Sequence, residues 1–161
     1  LKMKISNFAL NRKGFTLVEF LITLSILAVL TTIIFIPMSA LRNSKALQIT
    51  AEDILSLLNE ARNNTLSAKD SYAYGTRFES SRAVLFRGMA YSSSDPSNKT
   101  ADIDGAVEIS NISLAGGGQE VLFQRLTGKT SQSGTITIRL KSNVSKTKTI
   151  LIEASGVASS N

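Results

Sequence analysis

The sequence predicts an α+β fold: a long N-terminal helix packed on an antiparallel β-sheet head, the helix membrane-spanning in its first half and amphipathic in its second. Three observations predict it. The run from Phe15 to Met38 is apolar apart from one charge, Glu19. Leu47, Ala51, Ile54, Leu58 and Ala61 then recur at helical spacing. From Tyr72 onward the apolar period drops to two, that of a half-buried strand.

The apolar run, FTLVEFLITLSILAVLTTIIFIPM, is long enough to cross a membrane, since about 20 apolar residues at ~1.5 Å each span a ~30 Å hydrocarbon core. Lys2, Lys4, Arg12 and Lys13 precede it and no acid does. Such a cluster stays on the cytoplasmic side, so the expected topology is a single-pass cytoplasmic (inner) membrane protein with an extracytoplasmic head. A cleaved secretory signal fits less well: its apolar core is ~7–15 residues, and Met38-Ser39-Ala40 is a poor small-residue cleavage site. An uncleaved signal anchor needs only the hydrophobicity and the positive flank, and is the simplest alternative. Pro37 lacks an N–H and marks either a helix kink or a helix stop.

Residues 39–70 form the amphipathic half. Leu55 and Leu57 widen the apolar stripe, and Arg42, Lys45, Glu52, Asp53, Glu60 and Arg62 take the other sides. A stripe of about two heptads is short for a coiled coil and is expected to pack on a sheet of the same chain. The head, residues 71–161, opens with a hairpin, Tyr72–Phe78 and Arg82–Arg87, around Glu79-Ser80-Ser81. Gly88–Asp104 is polar and reads as a surface loop. Val107–Ile109 and Ile112–Leu114 read as a broken strand before the flexible Gly116-Gly117-Gly118. Val121–Phe123, Thr135–Lys141 and Thr149–Glu153 follow; in the second, Ile136, Ile138 and Leu140 alternate with Thr137, Arg139 and Lys141.

The composition closes off much chemistry. With no Cys and no His, disulfides, thiol nucleophiles, zinc-finger clusters and His-based acid/base pairs are excluded, and a serine triad lacks its usual base. The formal charge is +6, but most of the excess lies before Gly14, so the remainder argues little for nucleic acid. Asp102, Asp104 and Glu108 lack the full calcium-loop pattern and read as a solvated acidic turn. The three glycines are not followed by the Lys-Ser/Thr of a phosphate loop. Arg139, Lys141, Lys146 and Lys148 have no aromatic residues beside them for base stacking, and charge on an edge strand also blocks aggregation. The sequence therefore nominates no catalytic residue, no cofactor and no metal ligand, and nucleic acid is not an expected partner.

Two features go beyond a generic anchor. A carboxylate inside a membrane helix costs ~2.5–3.5 kcal/mol on insertion scales and usually has a partner. Lys13 is beyond helical i,i+4 reach of Glu19. The second feature is the junction Arg12-Lys13-Gly14-Phe15-Thr16-Leu17-Val18-Glu19. With its basic leader, boundary glycine, following aromatic and downstream acid, it resembles the class III signal of type IV prepilins and type II secretion pseudopilins. The resemblance implies that a prepilin peptidase cuts between Gly14 and Phe15 and N-methylates Phe15, the catalytic groups belonging to that enzyme. Residues 1–14 are then a leader peptide and 15–38 a transmembrane and filament-core helix. Cleavage frees an amine whose reference pKa is ~7.7–8.0, and the resemblance implies that Glu19 pairs with this cation on a neighbouring subunit during assembly. It also implies that Pro37 marks a kink.

The head is most similar to GspH/FimT-like minor pseudopilins. The similarity rests on Leu57-Leu58-Asn59-Glu60-Ala61-Arg62, on Phe123-Gln124-Arg125-Leu126-Thr127-Gly128, and on Ile150-Leu151-Ile152 with Ser155-Gly156-Val157. Some relatives end in arginines implicated in DNA binding; here Gly156 is followed by Val157-Ala158-Ser159-Ser160-Asn161. The implied function is that of a structural subunit, a minor pseudopilin of a type IV pilus or type II secretion pseudopilus. The implied partners are the prepilin peptidase/methyltransferase, other pilin subunits, an inner-membrane assembly platform and, before assembly, membrane lipid. The alternatives are a DNA-binding minor pilin of an uptake pilus and a signal-anchored extracytoplasmic domain with no filament role.

Overall fold

The computed structural model describes residues 14–161; within that range the side chains of residues 33–37, 39 and 40 lie outside the described residues. The chain divides into two compact units, Leu1–Ser39 and Ala40–Asn161. One helix, α1, runs over Leu17–Leu66. It continues through Pro37, so that position is not a helix stop.

In the first unit, the large apolar side chains from Leu17 to Leu30 are exposed around the whole helix circumference. A helix apolar all round belongs in a protein interior or a bilayer. Among the described residues no helix is long and apolar enough to cross a membrane. The side chains of residues 33–37 lie outside the described residues, and the apolar run continues through them in the sequence.

In the second unit, the stripe expected from the sequence is the buried one. Leu47, Ala51, Ile54, Leu57, Leu58 and Ala61 join one core with side chains from both sheets, and Leu55 is half-buried against it. The helix ends at Leu66, short of the expected amphipathic half's last residue, Asp70, and Ala68 takes a left-handed conformation. A 3-10 turn, Lys69–Ser71, then leads into the head.

The head contains eight strands: β1 (Tyr74–Glu79), β2 (Arg82–Arg87), β3 (Lys99–Asp102), β4 (Val107–Leu114), β5 (Glu120–Leu122), β6 (Gly134–Leu140), β7 (Thr147–Ile152) and β8 (Ala158–Ser160). They form two antiparallel four-stranded sheets, in the orders β3-β2-β1-β5 and β4-β6-β7-β8, where the sequence suggested one. The hairpin is present, but its first strand starts at Tyr74 rather than Tyr72 and takes in Glu79, which pairs with Arg82 and leaves the turn at Ser80-Ser81.

Several expectations are corrected. The broken strand is the continuous β4, with a register shift between Ile109 and Asn111. There a bulge takes up the extra residue that disturbed the alternation. The polar stretch Gly88–Asp104 is not all loop: Lys99–Asp102 pairs with Arg82–Leu85 as an edge strand. Its composition hid it, because edge strands carry polar and charged side chains. The small polar C-terminal residues pair with β7 as β8. Arg139, read as edge charge, lies on β6, which is flanked by β4 and β7.

Sheet β3-β2-β1-β5 is covered on its second face as well. Gly75 lies across from Phe86 in the β1–β2 register, and a Cβ on Gly75 would strike the Phe86 ring and the Val121 carbonyl. Tyr91 packs edge-on against Phe86, with ring centroids 5.8 Å apart, and the Arg77 guanidinium lies 5.0 Å from the Tyr91 centroid. The loop between β2 and β3 therefore folds over buried Val84 and Phe86.

Candidate processing junction and assembly helix

Gly14, Phe15 and Thr16 precede the helix as exposed, non-helical chain. Thr16 is the N-cap. Its carbonyl accepts the first helical hydrogen bond from the Phe20 N–H at 3.1 Å, and its Oγ1 accepts from the Glu19 N–H at 3.2 Å. Thr16-Leu17-Val18-Glu19 is the T-x-x-E pattern of a capping box, a helix-start signal the sequence reading passed over. The boundary thus has a local cause, and the Gly14–Phe15 bond is left in a non-helical, exposed segment. Gly14 needs no special backbone angle, and a Cβ there would meet nothing within 4 Å. Nothing inside the described chain requires glycine at this position.

The polar residues that interrupt the apolar helix are satisfied within it. Thr23 Oγ1 donates to the Phe20 carbonyl at 2.8 Å and Ser25 Oγ to Leu21 at 2.8 Å. Thr31 Oγ1 donates to Leu27 at 2.6 Å and Thr32 Oγ1 to Val29 at 2.7 Å. Hydroxyls turned back onto the preceding helical turn leave no donor that needs water, as burial in lipid or in other helices requires. Glu19 is exposed and, among the described residues, forms no ion pair. Pro37 lies in helical backbone, and its side chain is outside the described residues. The basic leader residues Lys2, Lys4, Arg12 and Lys13 also lie outside them.

In the head, the three segments that carried the similarity to minor pseudopilins meet at one place. Arg62 Nε donates to the Gly128 carbonyl at 3.3 Å, and Leu66 packs over Gly128. The Thr130 N–H donates to the Ala154 carbonyl at 3.1 Å. Gly156 sits at φ +81°, and a Cβ there would collide with the Gly128 carbonyl. Helix end, β5–β6 loop and β7–β8 turn thus close into one clasp.

Residues 10–35 match a family described as the prokaryotic N-terminal methylation motif. The fold is similar to two solved structures. The type IV minor pilin FimU of Pseudomonas aeruginosa aligns with 15% identity and a TM-score of 0.54, over 71% of this chain and 92% of that one. The minor pseudopilin EpsH of the Vibrio cholerae type II secretion system aligns with 12% identity and a TM-score of 0.55, over 73% and 94%. No curated protein sequence matches the chain. The chain carries a prokaryotic methylation motif on a minor-pilin fold.

On the head the other sequence candidates are dispersed. Glu108 Oε1 accepts from Arg139 Nε at 2.7 Å, and Asp104 Oδ1 caps the Ala106 N–H at 2.8 Å. Among the described residues no group of acids is gathered that could hold a metal. Lys141 Nζ donates to the Gly105 carbonyl and Lys146 Nζ to Ser44 Oγ. Lys148 stands opposite core residue Ile138 in the β6–β7 register, while Arg139 stands opposite exposed Thr147. The four cations therefore fall on two faces of the sheet and do not form one patch.

Proposed function

We propose that the chain is a structural subunit of a helical filament, a minor pilin or pseudopilin of a type IV pilus or type II secretion pseudopilus. One observation carries the reading: an apolar helix with self-satisfied hydroxyls and, among the described residues, no covering partner in its own unit, lying within the match to a methylation motif. Exposed apolar surface of that extent marks an interaction site. In this reading the helix first sits in the inner membrane, N-terminus cytoplasmic and head outside. Residues 1–14 are removed by a prepilin peptidase between Gly14 and Phe15, and Phe15 is N-methylated.

Glu19 then meets the Phe15 amine of a neighbouring subunit. The capping arrangement leaves its carboxylate available for this, because Thr16 bonds the backbone N–H of Glu19 and not its side chain. Transfer of the helix from lipid into a bundle of like helices keeps every apolar residue out of water, and an open screw-axis contact produces a fibre. A bend at Pro37, between the filament-core part 15–38 and the amphipathic part 39–70, belongs to the same reading. The head, 71–161, faces outward toward other subunits and the assembly platform.

Mass spectrometry of the native N-terminus tests it. N-methyl-Phe15 is the expected result. An intact Gly14–Phe15 bond overturns the reading and leaves a signal-anchored domain. DNA capture by the head is not favoured, since the cations of β6 and its neighbouring turn are paired or dispersed.

A further inference from the structure

The end of the head that the chain enters first carries a small apolar surface ringed by cations. There the β6–β7 turn meets the start of the head's part of α1. Asn43 Nδ2 donates to Ser142 Oγ at 3.4 Å, and Lys146 Nζ donates to Ser44 Oγ at 3.2 Å. The turn is closed on itself: the Lys146 N–H donates to the Asn143 carbonyl at 3.0 Å and the Ser145 N–H to Asn143 Oδ1 at 3.1 Å. Val144, within this turn, is 59% exposed. Leu41 lies one helical turn before Ser44, on the stripe that is buried from Leu47 onward, and yet is 60% exposed. The apolar stripe thus runs on past the part of α1 that the sheets cover.

Residues 40–47 and 141–146 contain Arg42, Lys45, Lys141 and Lys146 and no acid. All four are exposed, and among the described residues none forms an ion pair. Lys141 and Lys146 bond neutral oxygens, those of Gly105 and Ser44, and keep their charge for another partner. Asp104 adjoins Gly105 and offsets one cation, while Asp102 stands across from Arg82 in the β2–β3 register. The excess at this end remains positive.

We infer that this end face rests on an anionic lipid surface while the subunit is still in the membrane, with Leu41 and Val144 in the headgroup layer and the four cations against lipid phosphates. The inference rests on the reading of residues 15–38 as a membrane helix and adds a second hold on the same bilayer. Chain continuity favours lipid over a protein partner. Three residues separate Leu41 from Met38, the end of the apolar run, and they reach at most about 11 Å. The surface is therefore carried to the bilayer by its own chain, and a tethered contact forms at high effective concentration. Apolar side chains ringed by Lys and Arg suit the boundary between headgroups and acyl chains. A second copy presenting the same face would bring like charges together. An acidic protein is the competing occupant.

The chain has no cysteine, so one introduced thiol carries a probe without background. Full-length Val144→Cys, labelled with a polarity-sensitive dye, is reconstituted into vesicles of phosphatidylcholine alone or with about one-third phosphatidylglycerol. In the anionic vesicles the dye emission should shift to the blue, and its quenching by acrylamide, which is uncharged, should fall about threefold. Salt at about 0.5 M should reverse both changes. A label at Met89→Cys, on the exposed β2–β3 loop, should stay aqueous in both vesicles. Arg42→Gln, Lys45→Gln, Lys141→Gln and Lys146→Gln together should remove the lipid dependence, with retained protease resistance showing that the head is still folded. Equal quenching in the two lipids or protection that survives the four substitutions overturns the contact. So does protection that grows with the protein-to-lipid ratio, the mark of a second copy, or protection confined to native membranes, the mark of a protein partner. Flotation of the same samples separates this failure from failure of the membrane reading. A chain that does not float with phosphatidylcholine vesicles sinks that reading, whereas one that floats with both and is equally quenched sinks the surface contact alone.

Discussion

Thr16 and Glu19 divide two tasks at the helix start. Thr16 Oγ1 satisfies the Glu19 N–H, a bond that any residue at position 19 would keep. Replacing Thr16 with Ala should weaken the first turn by about 1 kcal/mol. Glu19→Val should leave capping and membrane insertion intact and yet block incorporation into filaments, because the partner amine would be buried without its counter-charge; removing one member of a buried pair costs about 3–5 kcal/mol. Membrane fractionation beside sheared-filament yield separates the two effects, and normal filament yield from Glu19→Val would refute the pairing. Gly156 is the corresponding position in the head. Its φ of +81° and its approach to the Gly128 carbonyl leave no room for a side chain. Gly156→Ala should destabilise the head by about 2–4 kcal/mol, read from denaturant midpoints. Gly14→Ala should leave those midpoints unchanged.

Among the elements, the β2–β3 loop is the part whose order depends on charge. Asp95 receives hydrogen bonds from the Ser97 hydroxyl and from the Ser97 N–H at 2.9 Å, and accepts from Arg87 Nε at 3.2 Å. Those bonds, the Ser97 hydroxyl first, hold its carboxyl below the usual value. Glu79, bonded by Arg82 and then by Arg77, is lowered as well. A carboxyl whose pKa falls on folding adds stability that is present above its unfolded pKa and is lost as pH drops through the folded one. The loss should therefore set in below about pH 4, near the ordinary carboxylate value. Asp95→Asn should lower the denaturant midpoint at pH 7 and flatten its decline between pH 4 and pH 2. An unchanged acid branch would show that Asp95 does not couple to folding. The ion pairs of this region are partly exposed, so each is worth little by itself. Tyr91, edge-on to Phe86, adds an apolar hold on the same loop.

At the scale of the whole molecule, the two compact units face opposite physical problems. The unit from Ala40 to Asn161 encloses its own core, in which Ile54, Leu58 and Phe78 are buried with side chains from β6 and β7. A chain beginning at Ala40 should fold cooperatively in aqueous buffer, with circular dichroism showing one sharp thermal transition. The full chain should require detergent or membrane. Full solubility of the complete chain without detergent would contradict an apolar helix awaiting burial, and failure of the shortened chain to fold would show that the head core is incomplete without the first unit.

How much was readable locally follows from what local pattern encodes. The apolar run and the buried stripe from Leu47 to Ala61 are matters of composition and of period 3.6, so they stand in the sequence itself, as does the methylation motif matched over residues 10–35. The same is true of the hairpin and of β6, where Ile136, Ile138 and Leu140 alternate with polar residues. The division of the strands into two sheets is not, because sheet partners are distant in sequence: β1 takes β5, and β4 takes β6. Nor are β3 and β8, whose polar residues become strand only through a neighbour's unpaired backbone. The clasp of Arg62, Gly128 and Gly156, and the end face of Leu41 and Val144, likewise arise where remote segments meet. Sequence alone determined the periodic and capped elements, whose causes lie within a few residues; the tertiary structure decided pairing, clasp and surface, because those depend on atoms that only folding brings together.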